Sequence, residues 1–335
     1  MSPPRKILII RPDRLGDLIL SLPVAETLKE NLPATVAHYL VSPRTASIAP
    51  MIDYVDGWLI DGDIDGKRLS LPNLVSKIRK AGYDCIIELK PSWRTAAAGF
   101  FSGVKMRIGT SRRFYSFFYS DRISVHRKSS GYHQTDLELK HLELFDFKDR
   151  ISKPRVRVTG NGLTRAASLF DAGRKPFAVI HPGSGGSAPN WPMEHYRKLA
   201  VLIKENMKYE VVITDRDPGL QGFDGCIDLG GKTDLETLAA VLSRAEIFIS
   251  GSTGPLHLAD ALGVPCVSFF LSRPDIGPER WGPRRNLDNV LVPPVPCGCA
   301  DLPECRCLEK ISPAEALEKL VNIVKFAKST GVKEN

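Results

Sequence analysis

The apolar run Ile247-Phe248-Ile249 ends in Ser250-Gly251-Ser252-Thr253-Gly254-Pro255-Leu256-His257. A buried strand that breaks into small hydroxyl and glycine residues, then enters a helix with proline in its first turn, aims backbone N–H groups and a helix dipole at one point. That point suits a phosphate. The same residues also read as a tight turn in which Ser252 or Thr253 caps the helix. His257 faces either the anion or the sheet beneath. A second glycine-rich turn, His181-Pro182-Gly183-Ser184-Gly185-Gly186-Ser187, follows another apolar run and precedes Asn190-Trp191-Pro192. Repeated glycines let backbone amides approach a diphosphate, and there is no Walker lysine pattern. A third turn, Arg11-Pro12-Asp13-Arg14-Leu15-Gly16-Asp17, leads from Ile7-Leu8-Ile9-Ile10 into a helix. Asp17 reads as a helix cap or, from its place at a strand's carboxyl end, as a base that takes a proton from a substrate hydroxyl.

Seven cysteines include Cys297-Gly298-Cys299 and Cys305-Arg306-Cys307 in a proline-rich stretch. Two Cys-x-Cys pairs so close together can wrap a tetrahedral Zn²⁺ or an iron as a structural site; reduced thiols or a disulfide are the other readings. Cys85, Cys226 and Cys266 lie in or beside apolar runs and are expected in the core. The acidic run Asp61-Gly62-Asp63-Ile64-Asp65-Gly66 imitates half of a calcium loop. Its twelfth position is Pro72 rather than a bidentate glutamate, so an ordinary acidic turn is expected.

These turns need strands and helices to hold them. The pattern predicts strands at 7–10, 36–41, 58–60, 85–89 and 106–108, with helices at 17–30, 71–80, 93–101 and 134–145. A hinge is expected within 148–175, which contains a strand-like Val156-Arg157-Val158 and a helical 163–170. A second series follows: strand 177–181, helix 193–206, strand 210–214, helix 235–244, the phosphate-type turn, strand 267–270 and an amphipathic last helix, 313–328. Alternation of this kind predicts an α/β protein with parallel sheets covered on both faces, made of two doubly wound, Rossmann-like domains facing a central cleft. With 335 residues two domains are the natural expectation. They are placed at 1–160 and 161–311, with the helix at 312–330 packing back toward the first.

Charge is uneven. Residues 1–160 carry a formal net charge of +9 and the rest −1. Lys90, Arg94, Lys105, Arg107, Arg112, Arg113, Arg122, Arg127 and Lys128 have only Asp121 as acidic company, a surface that draws an anionic partner. Phe114, Tyr115, Phe117, Phe118 and Tyr119 interleave with them, as base-stacking residues or as a flap resting on a membrane. No nucleic-acid motif accompanies the basic stretch, so no nucleic-acid partner is expected. The chain shows neither a secretory leader pattern nor an apolar run long enough to cross a bilayer, which predicts a cytoplasmic protein.

Taken together, these motifs resemble glycosyltransferase family 9, the lipopolysaccharide heptosyltransferases of the GT-B fold. The resemblance covers nearly the whole chain. It is carried by the segment from Ile7 to Asp17 with Ser21-Leu22-Pro23, by His181-Pro182-Gly183-Ser184 with Trp191-Pro192, and by Asp228-Leu229-Gly230-Gly231-Lys232-Thr233. Ser252-Thr253-Gly254-Pro255-Leu256-His257 and Arg280-Trp281-Gly282-Pro283 complete it. It implies an inverting transfer of heptose from ADP-heptose to the lipopolysaccharide inner core, at the cytoplasmic face of the inner membrane and with no metal required for catalysis. A GT-B transferase using another nucleotide sugar, or an inactive sugar-nucleotide- or lipid-binding protein, is the alternative. Asp17 is then the catalytic base, and Gly183, Ser184, Lys232, Ser252, Thr253, Gly254 and His257 form the donor side. Arg14, Gly16, Arg94, Arg112 and Arg113 are the candidates for the anionic lipid acceptor. Two departures stand out: serine at 252, where the family often has aspartate, and no lysine near Pro189, whose charge Arg273 or Lys232 would have to replace.

Overall fold

The computed structural model describes residues 3–63, 65–125, 131–171, 173, 175–186, 188–300 and 305–330. Ile64, Arg127, Lys128 and Ser187, named above, lie outside them. The chain divides into two compact units, Met1–Arg155 and Val156–Asn335.

The first unit contains, in chain order, β1 (Lys6–Ile10), α1 (Leu15–Asn31), β2 (Val36–Val41), β3 (Gly57–Ile60), α2 (Leu71–Ala81), β4 (Cys85–Glu88), α3 (Trp93–Phe101), β5 (Met106–Thr110), β6 (Asp121–Ile123) and α4 (Gln134–Leu139). Its sheet runs β3-β2-β1-β4-β5-β6 with every neighbouring pair parallel. Ile7 to Ile10 are fully buried because β1 lies mid-sheet with both faces covered, which is why the run is apolar without alternation. Helix α1 is buried on all sides from Leu18 to Leu28, and α4 packs on it through a 3.0 Å bond from Thr135 Oγ1 to the Leu20 carbonyl.

In the second unit the order is α5 (Gly160–Leu169), β7 (Phe177–His181), α6 (Met193–Met207), β8 (Glu210–Ile213), β9 (Ile227–Asp228), α7 (Leu235–Arg244), β10 (Ile247–Gly251), α8 (Gly254–Ala261), β11 (Cys266–Phe269), α9 (Pro278–Trp281), β12 (Val290–Leu291) and α10 (Pro313–Thr330). The sheet, again parallel throughout, runs β12-β11-β10-β7-β8-β9. Trp191 stacks on Phe269 with ring centroids 4.0 Å apart and anchors a core shared by α6, β11 and α10. Helix α10 packs on α6, so its apolar stripe is covered by its own unit.

Several expectations shift. The boundary falls at 155/156 rather than 160/161, because the Val156 N–H already donates to the Ala261 carbonyl at 3.2 Å. Residues 156–158 form no strand. The helix expected at 134–145 tightens into 3₁₀ turns from Lys140 onward. Cys85 and Cys266 are core residues, whereas Cys226 is only half-buried. The acidic turn is a local one: Asp63 Oδ1 accepts from the Lys67 N–H at 2.8 Å, while buried Asp61 pairs with Arg94 and Arg68.

Candidate functional site

In each sheet the strand order reverses beside the first strand, between β1 and β4 in one unit and β7 and β10 in the other. Open parallel sheets bind ligands at the carboxyl ends of the strands flanking such a point, because the connections diverge there and leave a crevice.

In the first unit that place is occupied by Arg11. Its side chain is only 1% exposed, yet it carries a charge, and three carboxylates surround it. Its Nε lies 3.1 Å from Asp13 Oδ1, its Nη2 2.9 Å from Asp17 Oδ1, and its Nη1 3.2 Å from Glu138 Oε1. Nη1 also donates to the Leu89 carbonyl at 3.2 Å, tying the group to the end of β4. Burial alone would lower the affinity of Arg11 for its proton; the attraction of Glu138, Asp13 and Asp17 reverses this and holds it above the ordinary value. The Asp13 carboxyl is pushed up to about 6, chiefly by burial, with the charge of Arg11 opposing and that of Asp17 adding to the shift. Lys90 approaches Asp13 at 3.7 Å. Asp17 stands in the first turn of α1 with its side chain 21% exposed, the most accessible of the three carboxylates. It is not the helix cap. Arg14 takes that position, with extended backbone and no capping side-chain bond, so the Asp17 carboxylate is left to Arg11 and to whatever enters from solvent.

The second unit brings the two glycine-rich turns together, because β7 and β10 are neighbours with Ser250 paired to His181. Thr253 caps α8: its Oγ1 accepts the Leu256 N–H at 3.3 Å and lies 3.3 Å from Ser250 Oγ. Pro255 has no N–H, so the first-turn donor the helix itself does not use is Gly254. Within the first turn of α8 this leaves the Gly254 amide for an anion, aided by the helix dipole. The capping and anion-binding readings of this turn are therefore compatible. Ser252 is half-buried and His257 is buried, 5% exposed.

Across the turn after β7, Ser184 Oγ accepts from the Gly186 N–H at 3.3 Å. A Cβ on Gly183 would run into the carboxylate of Asp215, so only glycine permits that approach. Asp215 follows β8 and its Oδ2 is buried without a hydrogen-bond partner among the described residues, an acceptor suited to a ligand hydroxyl. Burial pushes the His181 imidazole below its ordinary range, with the charge of Asp215 opposing. Asn190 stitches the far end of the turn to its start by donating to the Pro182 carbonyl and accepting from the Trp191 N–H at 3.0 Å. The turn after β9 joins this group: the Gly231 N–H donates to the Asp215 carbonyl at 3.0 Å, and exposed Lys232 donates to the Asp228 carbonyl at 2.7 Å.

The remaining candidates divide. Arg14 and Gly16 flank Asp17 at the start of α1. Arg112 and Arg113 are exposed around the 3₁₀ turn Phe114–Phe118. Arg94 is committed to the fold: its guanidinium pairs with buried Asp61 and donates to the Leu69 carbonyl at 2.9 Å, because a carboxylate 1% exposed requires a charged partner. Arg273, a possible substitute for the missing lysine, is held by both oxygens of Asp275, at 3.1 and 3.2 Å, and by the Cys299 carbonyl at 2.8 Å. Cys297, Cys299, Cys305 and Cys307 converge on one another. Arg11, Asp13, Glu138 and Asp215 were not singled out from sequence. The signal available for the first was a charged residue directly abutting a wholly apolar strand.

The chain is similar to known proteins over most of its length. The family described as glycosyltransferase family 9 (heptosyltransferase) matches residues 72–300. A provisionally named glycosyltransferase of Haemophilus influenzae is 27% identical over 315 residues, covering 88% of this chain and 90% of that one. The lipopolysaccharide core heptosyltransferase OpsX of the same species is 23% identical over 302 residues, covering 86% and 84%. Among solved structures, the Escherichia coli ADP-heptose lipopolysaccharide heptosyltransferase II superposes with a TM-score of 0.78 at 19% identity, covering 96% of this chain and 99% of that one. That likeness extends over both units and gives the fold as GT-B.

Proposed function

Because the chain belongs to glycosyltransferase family 9, and is a glycosyltransferase, we propose that it moves heptose from ADP-heptose to a hydroxyl of the lipopolysaccharide inner core, with inversion at the anomeric carbon. The observation that carries this reading is the Asp17 carboxylate, held by a buried arginine at the switch point of the first sheet and open to solvent on its other side. The names of the relatives support the donor and acceptor classes. Asp17 accepts the proton of the acceptor hydroxyl as its oxygen bonds to the anomeric carbon, and the bond to the diphosphate breaks with its electrons leaving on ADP. Negative charge grows on the departing diphosphate. The Gly254 amide, the α8 dipole and the amides of the Gly183-Ser184 turn meet that charge, with Lys232 adding a cation and Thr253 fixing the helix start. These groups supply the leaving-group stabilisation for which a metal ion would otherwise serve. Ser252 and His257 complete the donor side, and Asp215 is suited to accept a hydrogen bond from a donor hydroxyl.

The acceptor is anionic and lipid-linked in this reading, and the charge of the first unit matches it. Arg14 and Gly16 bound the base, while Arg112 and Arg113 sit beside exposed Phe114 and Phe117, an arrangement suited to the cytoplasmic surface of the inner membrane. Among the described residues no helix is long and apolar enough to cross a membrane, so the contact proposed is peripheral.

The test incubates the full chain with ADP-heptose and a truncated core acceptor and measures ADP release and product mass, with GDP- and UDP-sugars in parallel. Acceptor-dependent ADP release with a product of inverted configuration is expected. Turnover with a GDP- or UDP-sugar alone would replace the donor assignment, an outcome to which Ser252 and the missing lysine give specific interest.

A further inference from the structure

The segment between β12 and α10 contains the four cysteines that the transfer chemistry leaves unused. Cys297 and Cys299 precede the residues 301–304, and Cys305 and Cys307 follow them. The four Sγ atoms lie within 4.8 Å of one another; Cys297 faces Cys305 at 3.4 Å and Cys299 faces Cys307 at 3.7 Å. A metal–sulfur bond of about 2.3 Å in a tetrahedron sets sulfurs roughly 3.8 Å apart, close to both separations. A disulfide would need about 2.05 Å. Thiols are weak hydrogen-bond donors and gain little by converging on one another.

We propose that Cys297, Cys299, Cys305 and Cys307 bind one thiophilic cation, zinc or iron, through four sulfurs in a closed tetrahedral site. Four protein ligands leave no open position, so the ion is a structural clip rather than a reaction centre. Four thiolates around a divalent ion carry two net negative charges, and cations stand nearby. The Arg273 guanidinium donates to the Cys299 carbonyl at 2.8 Å. Arg306 is next in sequence to two of the ligands. Such a clip ties together two stretches of the connection between β12 and α10, the second of which enters a 3₁₀ turn at Cys307–Lys310. Cys297, Leu308 and Ile311 enter the same core as Trp191, and Trp191 Nε1 donates to the Ile311 carbonyl at 2.9 Å. Asn190, beside Trp191, binds the Pro182 carbonyl. The clip therefore braces the turn that follows β7 from behind.

The full chain, expressed in medium containing both zinc and iron and purified without affinity metals, is analysed by elemental mass spectrometry. About one equivalent of zinc or iron per chain is expected. The absorption spectrum separates the two: tetrathiolate iron has visible sulfur-to-metal charge-transfer bands, zinc has none. The double variant Cys299→Ser/Cys307→Ser is expected to lose at least roughly nine-tenths of the metal, while Cys226→Ser keeps it. Should the double variant fail to fold, cobalt(II) exchanged into the wild-type chain provides the readout, with the intense visible absorption of a tetrahedral thiolate site expected. Metal below roughly a tenth of an equivalent, together with either four freely reacting thiols or two disulfides by mass, overturns the proposal. So does full metal content in the double variant.

Discussion

Arg11 and Asp17 are joined by a 2.9 Å ion pair in which the arginine is 1% exposed and the carboxylate 21%. The asymmetry matters. A guanidinium that has lost its water cannot leave its carboxylates without a cost of several kcal/mol, so it behaves as a fixed part of the sheet. It holds Asp17 through Oδ1 and also through the Asp17 carbonyl, at 3.3 Å from Nε. The same guanidinium also binds Asp13 and Glu138, and Lys90 approaches Asp13, so Asp17 is one of three carboxylates that Arg11 positions.

Replacing Asp17 by asparagine keeps an oxygen for Arg11 and removes the proton acceptor. Transfer is expected to fall by about 10²- to 10⁴-fold, the usual yield of a positioned base, with donor affinity unchanged within about twofold. Initial rates of ADP release and a calorimetric titration with the nucleotide sugar check the two halves separately. A variant that turns over within tenfold of the wild type would remove Asp17 from the reaction.

Asp13 supplies a pH signature. Its carboxyl titrates at about 6, so below that pH it is neutral and Arg11 is shared by fewer charges. As pH rises through 6, Asp13 ionises and takes up its full ion pair with Arg11, the side chain that positions Asp17. The profile of kcat/KM against pH is expected to rise through about 6 in the wild type. Asp13→Asn should lose that limb and run roughly three- to tenfold slower on the plateau. An unchanged limb in the variant assigns it to another group.

Much of this was legible in the sequence, for identifiable reasons. The turn at 250–257 declares itself because a buried parallel strand, small residues, a proline and a helical pattern follow one another within a dozen positions, and Thr253 caps the helix as that pattern predicts. Long apolar elements such as β1 and β7 fall where periodicity puts them. The strands β6, β9 and β12 were invisible because two or three residues are too few to show alternation. Pairings across the chain leave no local trace. Nothing near Arg11 announces Glu138, nothing near Arg94 announces Asp61, and the approach of Asp215 to Gly183 depends on β7 and β8 lying side by side. The Cys-x-Cys spacing was plain, but only coordinates show the sulfurs meeting.

Glu88 makes the stability of the first unit depend on pH. Fully buried at the end of β4, it accepts from the Ser92 N–H at 3.0 Å, from Thr95 Oγ1 and from the Tyr119 hydroxyl at 2.9 Å, joining β4 to α3 and to the end of the 3₁₀ turn Phe114–Phe118. Burial pushes its carboxyl up to about 7 in spite of these bonds. The folded chain thus binds this proton more tightly than the unfolded one. The benefit is complete below the unfolded value and is lost as pH rises through 7. Urea unfolding at pH 5 and pH 8 is expected to show Glu88→Gln gaining on the wild type at the higher pH by up to about 3 kcal/mol. A difference between the two proteins that is the same at both pH values would count against the assignment.

The aromatic surface of the first unit gives the last prediction. Phe114 is 85% exposed and Phe117 61%, while Phe118 packs against Phe100 and Phe101 with ring centroids 5.4 and 6.1 Å away. Rings left in water beside exposed Arg112 and Arg113 combine an apolar tip with a basic rim, the two attractions that hold a peripheral protein on anionic lipid. Removing two rings forfeits their burial in the headgroup region, so Phe114→Ser/Phe117→Ser is expected to weaken sedimentation with phosphatidylglycerol vesicles by roughly 10- to 100-fold. Turnover of a soluble acceptor fragment should be unaffected, since neither ring is placed in the reaction. Wild-type binding should also fall with salt, as the arginine contribution is screened. Equal vesicle binding by variant and wild type, or none by either, would show that this surface serves something other than a membrane.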